Sequence, residues 1–260
     1  MYLTMKIVLI LLLFLTHILM SYNGSFLPLR ALIGSFLIVI IARAIWPGHW
    51  KDWLGLRIPS RAAVQAILLA LILILSLYWM VRFIASAEDI TYQASIVEHG
   101  ILSLTYLHTL GQTMNEEMLF GALILFAMRR RFVKASPLLI ASLVALLFSL
   151  LHFIFYAWIV FPPNSGLLTV GALFVLFAIG MLRNTLILRT GNIAYSWSVH
   201  LSINLVGLLG LYRFANGVEL TEPQIFNDIL GSQLAVILSF FVLLTCGASL
   251  LYIKARNDLQ

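Results

Sequence analysis

The chain has 260 residues, 62% of them hydrophobic and 10% charged, with a mean hydropathy of +1.03. Soluble domains carry about 25% charged residues, so a water-soluble globule is excluded. The net charge of +6 comes from 16 Lys and Arg against 10 Asp and Glu; the basic residues stand between apolar runs, where they set topology rather than bind nucleic acid.

Sixty-two per cent of 260 is about 161 apolar residues, material for roughly eight transmembrane helices at about 20 residues each. A β-barrel would alternate polarity over segments of about ten residues. The apolar runs here are continuous and longer, so the expected fold is all-α, a polytopic membrane protein. Breaking the chain at its polar punctuation places spans near 5–21, 27–46, 62–84, 100–128, 137–161, 166–188, 192–213 and 231–253. The first lacks a small-x-small cleavage pattern before Ser21 and reads as a retained helix rather than a signal peptide. Between the second and third lies a Trp-rich stretch from Trp46 to Trp53 with Lys51 among the aromatics, a composition suited to the headgroup level. Acidic connectors (Glu88, Asp89 and Glu98; Glu219, Glu222 and Asp228) follow spans three and seven, and Arg129, Arg130, Arg131 and Lys134 follow span four.

With these boundaries 13 of the basic residues, Arg183 and Arg189 included, fall on one side and three on the other. The bias puts both termini in the cytoplasm. Residues 1–260 read as one integral membrane domain, with a motif-bearing core at about 100–213. The lone cysteine, Cys246, lies in an apolar run and carries no compartment signal.

Chemistry is expected where ionisable residues interrupt apolar runs. A carboxylate at mid-bilayer costs about 2.5–3.5 kcal/mol on insertion scales, and span four holds two in succession, Glu116 and Glu117. Neighbours on a helix point about 100° apart, so only one of them is expected to aim squarely at a given site. Span five carries His152 one turn after Phe148, and span seven carries His200 one turn before Asn204. Each pair alone is ordinary packing; together they form a polar set on three spans away from the helix ends. His108 and Gln112 share the face of Glu116 and read as a polar lining, whereas His17, His49 and His99 sit near helix ends and carry no usable signal. Intramembrane Glu and His also build proton relays in transporters, but no internal repeat of the transporter kind is visible.

Glu116-Glu117-Met118-Leu119-Phe120, Phe148-Ser149-Leu150-Leu151-His152 and His200-Leu201-Ser202-Ile203-Asn204 resemble the three motifs of the CPBP (CAAX protease and bacteriocin-processing) family. These are intramembrane proteases related to the CAAX prenyl endopeptidases. Their order, on the fourth, fifth and seventh of eight helices, is similar to that family's, and Trp53-Leu54-Gly55-Leu56-Arg57 is a further family-like feature. The resemblance implies an intramembrane endopeptidase in which Glu116 activates water, His152 positions or polarises it, His200 and Asn204 donate to the oxyanion, and Glu117 supports. It implies no cofactor, a protein or peptide substrate at the bilayer, and a place in a bacterial inner (cytoplasmic) membrane. A zinc mechanism uses the same residue types, with Glu116, His152 and His200 as ligands around an open water position.

One position departs from the pattern. The first motif of the family usually reads Glu-Glu-x-x-x-Arg, and the arginine position here is Gly121. Two readings stay open: another residue partners the carboxylates, or the chain is an inactive relative acting as a membrane scaffold or immunity protein.

Overall fold

The computed structural model describes residues 3–21, 30–87, 92–93, 104–155, 168–206, 214–215, 218–219 and 226–258. The expected acidic connectors at Glu88, Asp89, Glu98 and Glu222, and the ends of spans five and seven, lie outside them.

The described chain is helical. Helices run over Leu3–Ser21 (α1), Arg30–Ile45 (α2), Trp50–Trp53 (α3), Ser60–Ala87 (α4) and Leu104–Glu116 (α5). A π-helical segment, Glu117–Leu123, leads from α5 into Ile124–Arg131 (α6). Pro137–Phe155 (α7), Val170–Thr190 (α8), Ala194–Ile203 (α9) and Gln233–Asp258 (α10) complete the helices, with a second π-helical turn at Phe226–Leu230. Three two-residue strands, Tyr92–Gln93 (β1), Phe214–Ala215 (β2) and Val218–Glu219 (β3), pair antiparallel in the order β1-β2-β3.

Among the described residues four helical stretches, Ser60–Met80, Pro137–Ile154, Val170–Thr190 and Gln233–Ile253, are long and apolar enough to cross a membrane. Their outward faces are apolar: Leu71, Leu75 and Trp79 on α4, and Phe240, Phe241 and Leu244 on α10, are all exposed. That surface is stable against hydrocarbon and not against water.

Small and polar residues let the helices close up. Ser198 and Ser202 of α9 donate to the carbonyls of Ala66 and Ala70 of α4 at 2.7 and 3.2 Å, the small-residue packing with interhelical hydrogen bonds that membrane helices use. This seals one face of α9 and turns the opposite face, which bears His200, inward. On the other flank Asn115 Nδ2 of α5 donates to the Ala31 carbonyl of α2 at 3.1 Å and its Oδ1 accepts from Ser35 Oγ at 2.6 Å. Helix α8 is the central strut, packed on α7, α9 and α10. Its N-terminus is capped by Thr169 Oγ1, which accepts from Ala172 N at 3.2 Å.

At one end of the bundle Trp46 and Trp53 stack at 5.0 Å, and the Arg130 guanidinium lies 4.0 Å over the Trp53 ring. The basic run after α6 and the Trp-rich stretch therefore meet. The turn between α3 and α4 is pinned to the start of α9, where Ile193 N–H donates to the Gly55 carbonyl at 3.0 Å. Gly55 has φ +66°, and a Cβ there would stand 2.7 Å from Ile193 Cγ2. Gly48 has φ +80° with open space around it. Gly48→Ala is therefore expected to cost only the left-handed penalty of about 1–2 kcal/mol, while Gly55→Ala adds overpacking of about 1–3 kcal/mol. The check is the unfolding midpoint of each purified variant in detergent, which should fall further for Gly55→Ala.

Candidate active site

Glu116 closes α5 and Glu117 opens the π-helical segment, whose last bond runs from Ile124 N–H back five residues to the Leu119 carbonyl. Single π turns inside α-helices are rare and concentrate at functional sites. Here the π segment is walled in, with Met118, Leu119, Gly121, Ala122 and Leu123 all buried. Glu117 is 0% exposed and Glu116 3%.

His200 of α9 joins the two carboxylates. Its Nδ1 lies 2.9 Å from Glu117 Oε1, and its Nε2 lies 3.5 Å from Glu116 Oε2. The expectation that only one glutamate could face the site is thus corrected: the imidazole presents a nitrogen on each side and reaches both. Glu116 Oε1 also accepts from Gln112 Nε2, one turn earlier, at 3.2 Å. Gln112 is therefore part of the site rather than only a lining.

Arg183 completes the cluster. It was expected beside a connector as a topology signal, but it lies within α8, 1% exposed, with Nε 2.5 Å from Glu117 Oε1. Its guanidinium rests 4.2 Å over the Phe148 ring. A guanidinium so placed offsets the cost of burying a Glu117 carboxylate. An ionised Glu117 can only accept, so Nδ1 of His200 carries the proton between them.

Phe148 links the second motif to this group. Its ring meets His152 at 4.3 Å and His200 at 5.9 Å, both edge-to-face. His152 Nδ1 donates to the Phe148 carbonyl at 2.9 Å, which fixes the ring and turns Nε2 away from its own helix. His152 is within electrostatic reach of Glu116, His200 and Arg183. Asn204, one turn after His200 and buried, donates from Nδ2 to Thr113 Oγ1 of α5 at 3.3 Å. All five residues expected from the motifs therefore lie on α5, the π segment, α7, and α9 with its C-cap Asn204, around one interior.

His17 of α1, set aside in the sequence as a helix-end residue, is 1% exposed, packs on Phe120 at 5.4 Å between ring centroids, and is within electrostatic reach of Glu116 and His152. Its only sequence signal was its polarity in an apolar run. Beside the cluster an apolar crevice of about 190 Å³ opens between α4, α8, α9 and α10. Leu182 and Ile203, which line it, are the chain neighbours of Arg183 and Asn204.

Among the described residues no group of three or more His, Cys, Asp or Glu is arranged to hold a metal ion.

Removing one partner of a buried ion pair strands the other, at a cost of about 3–5 kcal/mol. Glu117→Ala, which leaves Arg183 buried without its carboxylate, is expected to lower stability by that order. The readout is the unfolding midpoint and the yield of monodisperse protein in detergent.

Neither a curated protein nor a solved structure matches the chain. Residues 98–206 match the family model described as Type II CAAX prenyl endopeptidase Rce1-like. That segment contains Glu116, Glu117, His152, His200 and Asn204, and the match agrees with the CAAX-protease resemblance that its motifs carry.

Proposed function

We propose that this protein is a glutamate-dependent intramembrane endopeptidase that hydrolyses a peptide bond near the C-terminus or membrane tail of another protein. The observation that carries the reading is His200 set between the two glutamates, Nδ1 on Glu117 and Nε2 facing Glu116. Eight spans, both termini in the cytoplasm and residence in a bacterial inner membrane complete the proposal.

The roles follow from proton positions. Glu116 Oε2 and His200 Nε2 are 3.5 Å apart, a base on which a water oxygen can sit about 2.8 Å from both. Glu116 takes a proton from that water as it attacks the carbonyl carbon. His152, fixed through its Nδ1, holds the water from the side of α7. With Nδ1–H committed to Glu117, His200 donates from Nε2 only as imidazolium. The charges then balance: Glu116 and Glu117 are negative, Arg183 and His200 positive. The oxyanion is met by His200 Nε2–H and by Asn204 Nδ2–H, which leaves Thr113 to do so. When the tetrahedral intermediate collapses, Glu116 returns the proton to the leaving amine. The apolar crevice beside Leu182 and Ile203 accommodates the hydrophobic part of the substrate.

The reading takes Glu116 as a base rather than a zinc ligand, and chelation of the purified enzyme distinguishes the two. The inactive-scaffold reading drew on Gly121, and the pairing of Glu117 with Arg183 weakens that ground. No observation favours the transporter reading.

The test compares wild type with Glu116→Ala, His152→Ala and His200→Ala in the native host by mass spectrometry of membrane-protein termini. A terminus that disappears in all three is expected, with the Glu116 variant slowed by at least about 10²–10⁴-fold, the usual worth of a general base. Unchanged termini in the Glu116 variant would refute the proposal. Purified enzyme treated with a metal chelator is expected to retain its activity; loss restored by added zinc would favour the metal reading.

A further inference from the structure

The space that a side chain at position 121 would enter is already taken. A Cβ on Gly121 would stand 3.1 Å from Glu117 Oε2, 3.3 Å from Arg183 Nη2 and 3.0 Å from Ile187 Cδ1. Two of those three atoms belong to the ion pair, so position 121 opens directly onto it. The guanidinium comes instead from α8, 66 positions from Glu117 in sequence, and enters against Glu117 and over Phe148. Glycine in the π segment leaves the room it needs.

We propose that Arg183 is the positioning residue of the site, supplying from α8 the cation that the first motif lacks at Gly121. The assignment rests on the proteolytic reading only for its consequence on rate. Arg183 acts through Glu117: by holding Oε1 in place and ionised, it fixes the proton on His200 Nδ1 and points Nε2 at Glu116. It also braces the Phe148 ring against which both histidines pack. Gly121 and Arg183 form one unit, in which a cation on either helix can serve but cations on both cannot.

The experiment is a charge relocation. Wild type, Arg183→Gly, Gly121→Arg and the double variant Gly121→Arg with Arg183→Gly are made in the full-length chain. Each is read by ¹⁵N spectra of its histidine side chains, by its unfolding midpoint and by cleavage of the terminus that depends on Glu116. The His200→Ala spectrum assigns the His200 resonances. Arg183→Gly is expected to alter the His200 Nδ1 resonance and to slow cleavage at least tenfold, mainly in kcat with little change in KM. Gly121→Arg alone, which crowds two guanidiniums against one carboxylate, is expected to lower the midpoint. The double variant is expected to regain the wild-type His200 spectrum and at least tenfold of the lost rate.

A His200 spectrum unchanged in Arg183→Gly overturns the proposal, as does a folded double variant no better than Arg183→Gly in spectrum and rate. If Arg183→Gly does not fold, the double variant decides alone: a folded protein with the wild-type His200 spectrum supports the exchange, and a second unfolded protein refutes it. The spectra need no substrate. Failure of the proteolytic reading would therefore show as absent cleavage in wild type, with the His200 result still standing.

Discussion

The site depends on the buried pairing of Glu117 with Arg183. A carboxylate with no exposed surface cannot stay ionised unless a cation stands beside it and hydrogen bonds take up its oxygens. Arg183 supplies the first and His200 Nδ1 contributes to the second. Replacing such a pair with apolar side chains often leaves a protein as stable or more so, so stability alone is a weak reason for keeping it. Its use here is orientation: an ionised Glu117 holds the Nδ1–H of His200, and therefore turns Nε2 toward Glu116.

The helices around the pair serve that orientation. Hydrogen bonds from Ser198 and Ser202 hold α9 against α4, and Asn115 ties α5 to α2 one residue before Glu116. His200 and Glu116 thus come from two separately anchored struts. The π segment lies between α5 and α6, where a wider turn changes the direction of the residues after Glu116. Phe148 contributes an apolar platform that touches three of the polar groups and adds no hydrogen-bonding competition of its own. Groups fixed in this way need little reorganisation when charge develops, which is how preorganised dipoles contribute to rate.

Most of this was legible because the bilayer is an unforgiving solvent. Glu116, Glu117, His152, His200 and Asn204 stood out as polar residues in runs that should be oil, and their order carried the family resemblance that the match over 98–206 supports. The helical class followed from composition, since continuous apolar runs leave the backbone no other way to satisfy its hydrogen bonds. Arg183 was misread for a physical reason: positive-inside counting treats a basic residue near a helix end as a loop signal, and its carboxylate partner lies 66 positions away on another helix. His17 was hidden in the same way, because burial of a helix-end residue is set by what packs over it. The use of both glutamates by one ring was also beyond a helical wheel, which turns 100° per residue and has no term for an imidazole with a nitrogen on each side.

Gly121 shows how a missing motif residue is to be read in a packed interior. What the site requires is a cation against Glu117, and that requirement belongs to a volume of space rather than to a position in the chain. Several backbones border the volume, and any of them can fill it if the others stay small. Close packing makes the choices exclusive, since a core near crystal density has no room for two guanidiniums at one carboxylate. A glycine where the family usually has arginine is thus the complement of an arginine elsewhere, and the two positions are constrained together. Judged along the first motif alone, the chain has lost its arginine; judged around Glu117, it has kept one.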